Sequence, residues 1–206
     1  METDFYNRET FLRERLNTFL ARELRLPEAD YYANLTDESL LSLKSVLADI
    51  NNIFTLRVCI NFVDWLASRF NFNEIDTQAV RASLLKTKPG ANGYDIHIPT
   101  PIRAIAEIKC NVPINRGNKY GSNQRDGIKK DVTALLQGKS KARLNLHDYL
   151  KFLVLLDRPA IRAATEHFRL GSKLYRDRLI VVSDAIEIDR QDVVYVVYVS
   201  PPSNSL

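Results

Sequence analysis

The chain has 206 residues, 45% apolar and 26% charged, with seven glycines and eight prolines, which excludes a collagenous, low-complexity or wholly disordered polymer. Its longest unbroken apolar run, Val193–Val199, is too short to cross a bilayer, and the polar Met1–Asp4 start lacks the basic-then-apolar order of a signal peptide. The expectation is an intracellular, cytoplasmic protein whose net charge of +4 permits an anionic partner without demanding one.

Apolar side chains at Leu12, Leu16, Phe19, Leu20 and Leu24, preceded by Phe5, mark one face of a helix over 5–25, ended by Pro27. Thr36, followed by Asp37 and Glu38, reads as the N-cap of a second helical region, because a hydroxyl and early acids suit the positive end of a helix. Leu40, Leu43, Leu47, Ile50, Phe54, Val58, Phe62, Trp65 and Leu66 carry it to about Phe70, and Asn51-Asn52 is a point where it would divide. Val80–Lys86 is compatible with a strand or with a short helix capped by Asp76. The Lys88–Gly93 segment is rich in turn formers.

Tyr94–Ile98 alternates strictly, Pro99-Thr100-Pro101 breaks it, and Ala104–Lys109 resumes as a second strand, so a β-hairpin is expected. A polar loop over 111–121 leads to a helix capped near Ser122, with Ile128, Val132, Leu135 and Leu136 on one face and Gly138 as its stop. Tyr149–Leu156 is apolar on both faces, as a buried central strand should be. Pro159 starts a helix to about Phe168, and strands are expected over Leu179–Ile188 and Asp192–Val199. The sum is an α/β (α+β) chain. A helical region, 1–72, packs on a core over 73–206 with a mixed sheet flanked by helices, in one compact domain overall.

The hairpin carries the chemistry. Asp95 and Glu107 are symmetric about residue 101, so an antiparallel register centred there sets their Cβ atoms about 4.5–5.5 Å apart on one face. Lys109 points to that face as well, while Ile96, Ile98, Ala106 and Ile108 form an apolar layer on the other. Two such carboxylates repel unless a cation lies between them. Mg²⁺ suits them, because it is a hard ion that takes one or two carboxylates and keeps several waters, and the Ile108 carbonyl would be a third ligand. A metal there acidifies a bound water and neutralises charge growing on a phosphodiester, and Lys109 would orient that water and stabilise the transition state.

Asp95, eleven intervening residues, then Glu107-Ile108-Lys109 resembles the PD-(D/E)XK nuclease superfamily of restriction and repair nucleases, with Tyr94 in place of the motif's proline. The order of elements from Phe54 to Leu156, about half the chain, is similar to that family's restriction-endonuclease-like αβββαβ core. The resemblance implies Asp95 and Glu107 as metal ligands and Lys109 as the catalytic lysine. It also implies an acid from the preceding helix, for which Asp64, Glu74 and Glu38 are equal candidates, and Gln124 as a polar group brought to the site. Arg116, Lys119, Arg125, Lys129 and Lys130 would contact phosphates.

These residues point to a Mg²⁺-dependent DNA endonuclease, with Mn²⁺ able to substitute. A type II restriction or other DNA-defence role is implied, together with a homodimer that cuts both strands and a cognate methyltransferase if the enzyme restricts. The alternatives are a non-catalytic nucleic-acid-binding or assembly protein on the same fold, and an RNA- or structure-specific nuclease. Against the site stands an ordinary solvent-facing Glu–Lys pair beside an unrelated aspartate. The Arg116–Arg143 surplus, opposed only by Asp126 and Asp131, reads equally as a solvated face. His97 shares the face of Asp95 but reads as structural. His147 and His167 lack metal-ligand spacing, and Gly138-Lys139-Ser140 follows a helix and so is no phosphate loop. Cys59 and Cys110 are too few for a disulfide scaffold, and Cys110 reads as a packing residue turned away from Lys109.

Overall fold

The computed structural model describes residues 7–87, 93–113, 118–139, 142 and 144–200. The chain divides into two units, Met1–Ile50 and Asn51–Leu206, with the boundary inside a long helix.

In the first unit, helix α1 spans Arg8–Glu23, capped by Asn7, whose side chain accepts the Thr10 N–H at 3.1 Å. Asp30 organises the turn that follows, pairing with Arg13 and accepting from Asn17 Nδ2 at 2.9 Å. Helix α2 runs from Asp37 to Arg69, and Thr36 Oγ1 accepts the Ser39 N–H as the cap expected of it. It passes through Asn51-Asn52 without a break, because two helical asparagines cost only tenths of a kcal/mol each against a long run of intrahelical bonds. By length and composition α2 is apolar enough to cross a membrane, and its Val58, Cys59, Phe62, Val63 and Leu66 are buried in the second unit.

The second unit continues with helix α3, Glu74–Lys86. Of the two conformations compatible with Val80–Lys86, the chain adopts the helix, and the cap is Asn73, which accepts the Asp76 N–H at 2.8 Å, rather than Asp76 itself. Among the described residues, therefore, two strands and not three precede the next helix, one fewer than the αβββαβ pattern requires. The strands are β1 (Ile96–Ile98) and β2 (Ala104–Lys109), followed by helix α4 (Ser122–Gln137) and strand β3 (Leu150–Leu156). Helix α5 (Pro159–Leu170), helix α6 (Lys173–Arg178) and strands β4 (Leu179–Val181) and β5 (Val194–Val199) complete the chain. Helix α6 is highly charged and has no apolar period to announce it. Strand β4 stops well short of Ile188, because Ile186 N–H bonds back to the Ser183 carbonyl and turns the chain.

The sheet order is β1-β2-β3-β5-β4, with β1 antiparallel to β2 and every other neighbouring pair parallel. The result is a mixed α/β fold with helices flanking a five-stranded mixed sheet. Phe152 pairs across the sheet with Ala106 and Tyr195, and on that face Phe62 and Trp65 of α2 pack edge-on against its ring at 5.3 and 6.1 Å. Helix α4 lies against β2, β3 and β5. Because both sides of β2 are covered, its residues from Ala104 to Ile108 are all buried, including the charged Glu107.

Candidate active site

The antiparallel register pairs Ile96 with Ala106, His97 with Ile105 and Ile98 with Ala104, a set centred on residue 101. Continued by one residue, it sets Asp95 opposite Glu107, as the sequence symmetry requires. Strand β1 has not yet begun there, and the Asp95 side chain takes over the ladder, its Oδ2 accepting the Ile108 N–H at 2.7 Å. Within an extended strand the N–H and C=O of one residue face the same neighbour, so the Ile108 carbonyl lies on the Asp95 side as well. The apolar layer of Ile96, Ile98, Ala106 and Ile108 is buried as expected. The cluster sits at the carboxyl end of β2 in a run of parallel strands, the end at which open α/β sheets place their ligands.

Two ion pairs close over this end of the sheet. Lys109 Nζ lies 2.7 Å from Oδ2 of Asp131 on α4, and Lys139 Nζ lies 2.5 Å from Oε1 of Glu107. Lys139 follows Gly138, whose φ of 96° ends α4 in a conformation that favours glycine. The chain thereby turns the lysine back over the hairpin. Its ammonium also donates to the Gly93 carbonyl at 2.6 Å and sits 5.0 Å from the centre of the Tyr94 ring, while the Tyr94 hydroxyl donates to the Ala134 carbonyl. Glu107 Oε1 and Asp131 Oδ2 are both buried, and although each meets its lysine at ion-pair distance, neither receives a well-directed hydrogen bond among the described residues.

Burial pushes the Glu107 carboxyl up to about 7, more than Lys139 pulls it down, and the nearby Asp95 and Asp131 charges add to the rise. Asp131 is raised for the same first reason, against the pull of Lys109. Two buried carboxylates and the exposed Asp95, which repel one another and face two ammonium groups, are the kind of arrangement found at functional sites. Burial raises the Cys110 thiol and pushes that of Cys59 up to about 12, which disfavours the thiolate form of both.

Of the other expected residues, Gln124, Asp64 and Glu74 have hydrogen-bond partners of their own. Gln124 Oε1 accepts the Gly121 N–H at 2.9 Å and its Nε2 donates to the Val112 carbonyl at 2.7 Å, so it caps α4 and ties down the preceding loop. Asp64 accepts from Arg81 Nε at 2.9 Å, Glu74 accepts from Gln78 at 2.7 Å, and Glu38 belongs to the first unit. Lys119, Arg125, Lys129 and Lys130 are exposed, Lys129 being 3.2 Å from Asp126, and Arg116 lies outside the described residues. His97 meets the Tyr149 hydroxyl at 3.1 Å.

Asp131 and Lys139 were not expected at the site. Asp131 carries a sequence signal, since it stands on the buried seam of α4 between Ile128 and Leu135, where an acid needs a partner. Lys139 carries none, because it reads as one more charge in the basic stretch.

Hard oxygen donors at Asp95, Glu107 and the Ile108 carbonyl suit Mg²⁺, which needs only one or two carboxylates beside water, although Lys139 already stands 2.5 Å from Glu107 Oε1. Among the described residues no group of three or more His, Cys, Asp or Glu side chains stands at metal-holding spacing, so the side chains offer a two-carboxylate site at most. Comparison with models of known families, with curated proteins and with solved structures found no match.

Proposed function

We propose that this chain is a Mg²⁺-dependent DNA endonuclease with a restriction-endonuclease-like core that hydrolyses phosphodiester bonds at the carboxyl end of β2. The observation that carries the reading is the placement of Asp95 opposite Glu107, with Asp95 bonded to the Ile108 amide and two lysines alongside. Asp95, Glu107 and the Ile108 carbonyl would hold Mg²⁺ or Mn²⁺. The ion would supply Lewis-acid neutralisation of the scissile phosphate and a more acidic water. Lys109 would stabilise the charge that grows on the phosphate, held in place by Asp131. Lys119, Arg125, Lys129 and Lys130 would follow the DNA backbone. A type II restriction or other DNA-defence setting, with a homodimer cutting both strands, is the context this reading favours. Supercoiled plasmid in Mg²⁺ should be nicked by the wild type and left intact by Lys109→Ala and Asp95→Asn. Full cutting by both variants would remove those residues from the mechanism.

One observation favours a second reading. Glu107 and Asp131 each already have a lysine at ion-pair distance, which suits a non-catalytic nucleic-acid-binding protein that keeps the fold and has traded a metal for internal charge balance. Calorimetry separates the two: the second reading requires that no Mg²⁺ or Mn²⁺ heat depends on Glu107.

A further inference from the structure

The ammonium of Lys139 rests in a cradle of three groups that each attract a cation. The Glu107 carboxylate is at 2.5 Å, the Gly93 carbonyl at 2.6 Å, and the face of Tyr94 has its ring centre at 5.0 Å. The Tyr94 hydroxyl is tied to Ala134, which fixes the ring beneath the amine. The Lys139 side chain is 29% exposed while that of Glu107 is 6% exposed, so a partly exposed lysine reaches a deep carboxylate. Lys109 is held separately by Asp131. Among the described residues Lys139 is the cation at ion-pair distance from Glu107, and it occupies an oxygen that a divalent ion would need.

We propose that Lys139 is a tethered stand-in cation, which neutralises Glu107 in the resting protein and is displaced when a divalent ion binds there. The inference rests on the reading of Glu107 as a metal ligand and adds a regulation to it. Occupancy of the site is a competition between an internal amine and an external ion, and arrival of the ion releases a mobile positive group at the mouth of the site. Two cations cannot share one buried carboxylate oxygen at contact distance without strong repulsion, so binding of the ion and docking of the amine exclude each other.

The test is Mn²⁺ binding by the free-ion electron paramagnetic resonance signal at pH 8.5, with wild type, Lys139→Met, Lys139→Arg and Glu107→Gln. Lys139→Met should bind Mn²⁺ about tenfold more tightly than wild type, within the usual range for coupled ligands. Lys139→Arg should show no gain, and Glu107→Gln should lose binding. Wild-type affinity in Lys139→Met, with binding still lost in Glu107→Gln, overturns the displacement and leaves the metal reading standing. Undiminished binding in Glu107→Gln overturns the metal reading and the displacement together. A second measurement needs no variant: acylation of the Lys139 amine, followed by mass spectrometry, should speed up several-fold when Mg²⁺ saturates the wild type. An unchanged labelling rate in Mg²⁺ that demonstrably binds would overturn the proposal even if the variants fail to fold.

Discussion

The Asp95 carboxylate, one residue before β1 begins, accepts the amide hydrogen of Ile108 at 2.7 Å, so a side chain completes the sheet where the backbone does not. This bond fixes the acid beside Glu107 and explains why an exposed aspartate at a strand end holds a defined orientation. Asp95→Ala leaves a buried N–H without its acceptor and should cost about 1–2 kcal/mol in urea unfolding. Asp95→Asn keeps an oxygen in place and should stay within about 0.5 kcal/mol of wild type. Equal losses in the two variants would mean that the carboxylate's charge, not its hydrogen bond, is what the fold uses.

Glu107 makes stability depend on pH in an unusual sense. Its folded value of about 7 lies above the ordinary 4.5, so the native state binds this proton more tightly than the unfolded chain does. The resulting stabilisation is complete below pH 4.5 and is lost as pH rises through 7, a change of about 3 kcal/mol. Asp131, also raised by burial, acts in the same direction. In metal-free buffer the wild type should be more stable at pH 5 than at pH 8, and Glu107→Gln should flatten that slope. A slope unaltered by Glu107→Gln would assign the proton to another group.

Lys151, only 2% exposed, anchors the start of β3 by donating to the carbonyls of Leu146 at 2.7 Å and Tyr149 at 3.0 Å, and to that of Gln191. Lys151→Met fills the space but strands those carbonyls, and should lower stability by about 2–4 kcal/mol. A neutral effect in chemical denaturation would show that water replaces the amine.

Backbone contacts by the exposed lysines have a salt signature. Lys130→Ala should weaken duplex DNA binding and reduce the slope of log affinity against log salt by about 0.9. Lys129, which shares its charge with Asp126, should reduce it less. Identical slopes in wild type and Lys130→Ala would take α4 off the DNA.

Local chemistry made much of this fold legible. The symmetry of Asp95 and Glu107 about residue 101 reappears in the strand register, where a one-residue slip would turn Ile96 and Ile98 away from the apolar layer. Thr36, Pro159 and Gly138 mark helix ends for reasons internal to a turn or two of chain. Val80–Lys86 is ambiguous in sequence because a short apolar run fits either period, and the cap that opens its helix, Asn73, lies seven residues upstream. The ion pairs were hidden for a different reason. Lys109 finds Asp131, and Lys139 finds Glu107, only after α4 has folded back onto β2, a tertiary event that no spacing along the chain encodes.

The most direct measurement is a crystal soaked in Mn²⁺ and read by its anomalous signal. One peak is expected about 2.1 Å from oxygens of both Asp95 and Glu107, with the Lys139 amine moved off Glu107. No peak at those oxygens under saturating Mn²⁺, with Lys139 still seated on Glu107, would contradict it.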